Sequence, residues 1–259
     1  MKTSLDVTTK QLIQIAKNAG NAIMDIYKKE TFNQQFKSDN SPLTEADIAS
    51  NNIIIGGLKQ LTPNIPILSE ESAEISWKER KQWNYYWLID PLDGTKEFIN
   101  RNGEFTVNIA LIEGNIPIIG VVHAPAIDQT WVGNQSEKVA IKISNGKTKY
   151  IQVKPHIKDE IWKVVGSRSH AGDSLKNYLD NLGSYELISM GSSIKLCLVA
   201  EGSAHVYPRL GPTSEWDTAA AHAVVNAAGG RVVNVENDSV VAYNTKYSLL
   251  NPHFIVYSD

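Results

Sequence analysis

The 259-residue chain has one cysteine, Cys197. A single thiol excludes an internal disulfide framework and any multi-thiolate zinc or iron–sulfur centre. Flanked by Leu196 and Leu198, that thiol reads as an inert core residue. An excess of positive charge is also missing, since 25 Lys+Arg stand against 28 Asp+Glu for a net charge of −3. A broad nucleic-acid footprint needs a concentrated basic face, so no nucleic-acid polymer is expected as a partner. No apolar run approaches the roughly 18–20 residues of a membrane span, and the N-terminal stretch lacks the apolar heart of a signal peptide. The expected compartment is the cytoplasm. The six histidines, at 123, 156, 170, 205, 222 and 253, show no metal-ligand spacing. Neither the G-x-x-x-x-G-K-S/T loop nor the G-x-G-x-x-G loop occurs, so nucleoside-triphosphate and dinucleotide chemistry lack support.

What is there is an ordinary globular composition, 42% hydrophobic and 20% charged, long enough for one large or two small domains. Leu12, Ile15, Ala19, Ile23 and Ile26 recur at helical spacing. Thr44 and Asp47 have the spacing of a capping box opening a second helix towards Gly56-Gly57. A strand is predicted over 85–90, ended by Pro91. Hairpins are predicted around Gly114-Asn115 and around Asn145-Gly146, the latter joining 139–143 to 149–153. After Pro155 short apolar strands alternate with helices near 174–182, 194–201 and 215–228, the rhythm of a mixed or parallel sheet. Two subdomains sharing an interface are expected, 1–155 with helices on an antiparallel sheet and 156–259 with α/β alternation. The six tryptophans read as packing residues.

The most informative stretch is Asp90-Pro91-Leu92-Asp93-Gly94-Thr95. A buried strand delivers Asp90 to its end, and a tight turn can bring Asp93 round the same centre. The Leu92 carbonyl offers another hard oxygen, and Gly94 permits close backbone approach. Thr95 opens a helix whose amides and positive dipole suit a phosphate. Taken alone, the stretch is equally an acidic turn with Asp93 as a cap. Glu70-Glu71 after an apolar run, and Asp217 in the first turn of a well-marked helix, add acids at strand ends and helix starts, where sites on α/β sheets form. Asp47 and Asp217 each have a plain capping or dipole role as the other reading. Carboxylates and carbonyls without clustered histidine are the ligand set of Mg²⁺ or Mn²⁺.

Together, Glu70-Glu71, Asp90–Thr95 and Trp216-Asp217-Thr218-Ala219-Ala220 resemble the three signatures of the inositol monophosphatase superfamily over nearly the whole chain. Val165–His170, Gly191–Cys197 and Ala200–Arg209 more closely resemble its 3′(2′),5′-bisphosphate nucleotidase branch. The resemblance implies an α/β fold layered as an α/β/α/β/α sandwich. It implies Mg²⁺ ligation, by two or three ions, through Glu70, Asp90, the Leu92 carbonyl, Asp93 and Asp217, with Mn²⁺ as a substitute and Li⁺ and Ca²⁺ as inhibitors. Asp47 and Thr95, with Glu70, would orient and deprotonate the attacking water. Gly94, Thr95, His170, Ser192, Lys195, Arg209 and Asp217 would contact substrate.

The implied reaction is hydrolysis of the 3′-phosphate of adenosine 3′,5′-bisphosphate by a metal-activated water, without a phosphoenzyme. Lys195 and Arg209 have the charge to pair with a 5′-phosphate, although both also read as solvated surface cations. An inositol or sugar phosphatase would share every metal ligand. A silent nucleotide- or metal-binding protein is the reading from another class, and it would not need the water-activating pair. The expected partner is a small phosphorylated nucleotide, the chain being a monomer or homodimer, with at most a peripheral contact at a bacterial inner membrane.

Overall fold

The computed structural model describes residues 7–36, 42–72, 74–167 and 173–259. Helix α1 (Val7–Tyr27) buries Leu12, Ala16, Ala19 and Ile23 along one stripe spaced by three or four residues. The short antiparallel pair β1 (Gln34–Phe36) and β2 (Pro42–Thr44) leads into α2 (Glu45–Leu61), which begins with the expected Thr44/Asp47 capping box.

A seven-stranded sheet follows in chain order: β3 (Ile67–Ser69), β4 (Tyr85–Asp93), β5 (Thr106–Glu113), β6 (Ile116–Ala124), β7 (Gln129–Asn134), β8 (Val139–Ser144) and β9 (Lys147–Tyr150). It is antiparallel apart from the parallel β3–β4 pair. Two short helices, α3 (Trp77–Arg80) and α4 (Thr95–Ile99), flank β4. Both predicted hairpins form. The second pairs with 147–150 instead of 149–153, because the Val153 amide leaves the ladder to donate to Ala228 O. The strand β7 has no counterpart in the sequence reading: its Gly133-Asn134 end looks like a turn, and its burial pattern lacks alternation.

Pro91 does not end its strand. β4 continues to Asp93, with a register break between Asp90 and Asp93, so Pro91 and Leu92 fall in the irregularity where no ladder donor is needed.

The remaining chain supplies β10 (Trp162–Ser167), α5 (Asp173–Asp180), β11 (Tyr185–Met190), α6 (Ile194–Ala200), β12 (Val206–Arg209), α7 (Glu215–Ala227), β13 (Arg231–Asn234) and β14 (Phe254–Tyr257). Their strands form a mixed sheet ordered β11-β10-β12-β14-β13, parallel on the β11 side and antiparallel on the other.

Alternation along the strands sorts the core. Trp87, Ile89, Val107 and Val121 face α1 and α2, while Tyr86, Leu88, Ala110 and Val122 face α6, α7 and the second sheet. Val164, Val206 and Ile255 on the outer face of that second sheet pack on Leu175 and Leu179 of α5. The layers are therefore α1/α2, the seven-stranded sheet, α6/α7, the five-stranded sheet and α5, the α/β/α/β/α sandwich expected. Helix α7 sits so close to the first sheet that a Cβ on Gly120 would fall 2.0 Å from Ala220 O.

Candidate active site

The break in β4 does more than accommodate proline. Asp90 pairs with Asn108 and Asp93 with Thr106, two positions apart on β5, so the extra residue brings both carboxylates onto one face. The third acid arrives from α7, whose first turn carries Asp217. Oxygen atoms of Asp90, Asp93 and Asp217 lie within 4.8 Å of one another. Asp90 is buried, and Asp93 and Asp217 are partly open to a cleft.

Burial pushes the carboxyl groups of Asp90 and Asp217 well above the usual range, with further upward pushes from Glu70 and Asp93 on both and from Asp217 on Asp90. Asp93 is pushed up to about 6, again chiefly by burial, although Lys195 and the Ser193 amide pull it back. Glu70 opens the 3-10 turn after β3, and its negative charge presses on all three aspartates. Crowded, half-dry carboxylates of one sign are unfavourable unless a cation joins them. With oxygen donors alone at the cluster, the residues fit a hard divalent ion and do not resemble a zinc centre.

Beside the cluster lies a second pair. Asp47 Oδ2 accepts from Thr44 N at 2.8 Å and Thr44 Oγ1 at 2.6 Å, which turns Oδ1 towards Thr95 Oγ1 at 3.4 Å. The same Thr95 hydroxyl lies 3.3 Å from Leu92 O. One hydroxyl proton thus faces two acceptors, and neither contact is tight. Ser50 donates to Pro91 O at 2.7 Å, and Leu92 N donates to Asp90 Oδ1 at 3.0 Å, fixing the backbone that presents these groups. Gly94 caps α4 at φ 90°, where a side chain would be strained and would press on Glu104 O.

The far wall of the cleft comes from the turn before α6. Ser192 lines it with a left-handed backbone, φ 49°. Lys195, read from sequence as either a ligand contact or a solvated lysine, is only 7% exposed. Its ammonium donates to Ser192 O at 2.5 Å and lies 5.7 Å from the Tyr207 ring centre. Burial draws its pKa down to about 8, against the opposing pull of Asp93. Arg209 also lines the cleft, donating Nη2–H to Pro212 O at 2.6 Å while its buried Nε–H has no partner. His170 lies outside the described residues. Sequence reasoning missed Glu97, Ser167, Tyr207 and Thr213 as lining residues. Ser167 and Tyr207 lay in stretches that resemble the nucleotidase branch without being singled out, and nothing set Glu97 or Thr213 apart from their neighbours.

The inositol monophosphatase family model matches residues 4–256. The chain belongs to the inositol monophosphatase family. Among members of that family, it is 50% identical over 250 residues to the 3′(2′),5′-bisphosphate nucleotidase CysQ of Escherichia coli strain K12, covering 95% of this chain and 98% of that one. It is 36% identical over 258 residues to CysQ of Haemophilus influenzae, covering 96% and 92%. The crystal structure of CysQ from Bacteroides thetaiotaomicron, a bacterial member of the inositol monophosphatase family, superposes with a TM-score of 0.86 at 40% identity, covering 96% of each chain. No described helix is long and apolar enough to cross a membrane.

Proposed function

We propose that the protein is a Mg²⁺-dependent 3′(2′),5′-bisphosphate nucleotidase that hydrolyses the 3′-phosphate of adenosine 3′,5′-bisphosphate, giving AMP and phosphate. The observation that carries the reading is the pairing of a crowded, partly buried carboxylate cluster with Lys195 and Arg209 across one cleft. A substrate with two phosphates can place one at a cation held by the acids and the other on the basic pair. The identity with CysQ of Escherichia coli supports the nucleotide.

Asp90, Asp93 and Asp217, with Glu70 and the Leu92 carbonyl, would hold the divalent ions. Such ions supply positive charge to the phosphoryl group and make water more acidic. The chain's own residues do the rest. Asp47, held by Thr44, orients the Thr95 hydroxyl and accepts its proton as Thr95 takes one from the attacking water. Thr95 follows directly on the cleft-lining Asp93 and Gly94, which would set the side of attack. The amides of Gly94 and Thr95 steady non-bridging phosphate oxygens without reorganising. Lys195 and Arg209 hold the 5′-phosphate, and Ser192 and His170 are the further substrate contacts of this reading. Residues 1–155 would thus form a subdomain bringing most of the ion ligands, and residues 156–259 one bringing Asp217 and the nucleotide contacts.

Phosphate release with Mg²⁺ from 3′-phosphoadenosine 5′-phosphate and from inositol 1-phosphate, at matched low concentrations, tests the reading. A large preference for the nucleotide is expected. Preference for inositol phosphate would keep the acidic site and discard the Lys195/Arg209 assignment. Release from neither would make the chain a silent binder.

A further inference from the structure

Against the cluster lie three buried polar side chains that the chemistry above leaves unused, of which Ser193 reaches the lining of the cleft. Thr106 and Asn108 of β5 stand opposite Asp93 and Asp90 in the ladder and share their face. Ser193, from the turn before α6, drops between them. All three are at most 2% exposed. Ser193 Oγ lies 2.7 Å from Asn108 Oδ1 and 2.8 Å from Thr106 Oγ1. Ser193 N donates to Asp93 Oδ2 at 2.6 Å, and Thr106 Oγ1 is 3.5 Å from that same oxygen.

A proton count assigns the roles. The two hydroxyls own one proton each, and three oxygen–oxygen contacts compete for them. Once Ser193 Oγ–H donates to Asn108 Oδ1, the Thr106 proton is committed to Ser193 Oγ. Asp93 Oδ2 is then held by the Ser193 amide, and the other carboxylate oxygen is left for the cluster. The hydroxyls hold Ser193, and Ser193 holds Asp93.

The same turn carries the substrate wall. Ser192 precedes Ser193, Lys195 follows it, and the Lys195 ammonium closes back on Ser192 O. Gly191 N donates to Glu104 Oε2 at 2.7 Å, a further tie to the first sheet. A shift of Ser192 or Lys195 therefore moves the amide that orients Asp93. We propose that Ser193, Thr106 and Asn108 are positioning residues, a relay that fixes Asp93 for cation binding and couples it to the substrate turn 191–195. The inference rests on the reading that Asp90, Asp93 and Asp217 hold a divalent ion.

The test titrates the full chain with Mg²⁺ or Mn²⁺ alone, reading the melting temperature, and then measures kcat and KM. Thr106→Val deletes the hydroxyl at nearly constant volume, and Thr106→Ser restores it. Outer partners of metal ligands are typically worth about 10–100-fold in affinity or activity. Thr106→Val and Ser193→Ala should raise the cation concentration at half-maximal shift by about that factor and lower kcat. KM should change less than kcat, and Thr106→Ser should recover most of the loss. Thr130→Val removes a buried hydroxyl that bonds His123 Nδ1 at 2.9 Å, away from the cluster, and should lower the melting temperature without moving the cation midpoint. If Thr106→Val and Ser193→Ala behave like Thr130→Val, the relay is merely structural and the proposal falls. Loss confined to KM would overturn it too, as would failure of Thr106→Ser to rescue. If the wild-type chain gives no cation-dependent shift, the ion-site reading falls first and takes the relay with it.

Discussion

Asp47 and Asp217 occupy the same local position, three residues into a helix whose N-cap is Thr44 in one case and Ser214 in the other. Each carboxylate accepts from the amide of its N-cap residue, at 2.8 Å and 2.9 Å. Beyond that shared bond they part. Asp47 also takes the Thr44 hydroxyl and is buried against its own helix start, so its charge is well served. Asp217 sits in the acidic cluster, and burial first, then the charges of Asp93 and Glu70, drive its carboxyl well above the usual range. One motif therefore stabilises a helix in the first place and carries an unfavourable charge in the second. The difference lies in the Thr44 hydroxyl at one helix start and in the acids that other elements bring alongside the other.

Asparagine at each position should break the comparison most sharply. Asp217→Asn should lower turnover by more than about 1000-fold, the kind of loss seen when a key charged group leaves a site. The metal-free melting temperature should stay level or rise, because like-charge crowding is relieved while the amide oxygen still accepts from Ser214 N. Asp47→Asn should cost roughly 10²–10⁴-fold in turnover if it is the proton acceptor. Unlike its counterpart, it should also lower stability by about 1–2 kcal/mol through loss of a charged acceptor. Calorimetry of both variants without metal decides the matter: equal destabilisation would mean that the two carboxylates do the same job.

Buried histidine sharpens the contrast, because burial moves a base the opposite way. His123, with Nδ1 2.9 Å from Thr130 Oγ1, has its pKa drawn down to about 4 by burial. The unfolded chain then binds a proton from about pH 6.5 downward while the folded chain does not, so this stability is intact above about pH 6.5 and lost as the pH falls towards 4. The loss reaches about 3 kcal/mol for a shift of this size. His123→Gln should flatten that part of the stability–pH profile in denaturant melts, and an unchanged slope would show that the imidazole takes up its proton as readily in the fold as in the unfolded chain.

The smallest effect belongs to the cap itself. Thr44→Ala should cost about 1 kcal/mol, and Thr44→Ser should restore most of it. Turnover should fall with the cap, since Thr44 also orients Asp47; activity that survives Thr44→Ala would separate capping from catalysis.

Much of the fold was legible because it rests on local rules. The stripe of α1, the Thr44/Asp47 box and the Gly114-Asn115 hairpin each follow from spacing or turn chemistry within a few residues. The acids at 93 and 217 were legible as strand-end and helix-start carboxylates, whereas Asp90, read as a strand end, lies inside β4. Less legible was β7, whose burial on both sides removes the alternation a strand shows when one face meets water. The burial of Lys195 escaped as well, since a lysine in a helix sequence looks the same whether its head meets water or a ring of Tyr207.

By itself, then, the sequence determined the helix stripes, the caps, the turns and the supply of hard oxygen ligands, all set by interactions between near neighbours. Only the tertiary structure decided that β4 runs through Pro91 and turns two carboxylates onto one face. It also decided that α7 delivers a third, and that Ser193 reaches from the turn before α6 to hold Asp93. Those outcomes depend on a register break and on layers packed from residues a hundred or more positions apart, and no short stretch of chain contains both halves of such a contact.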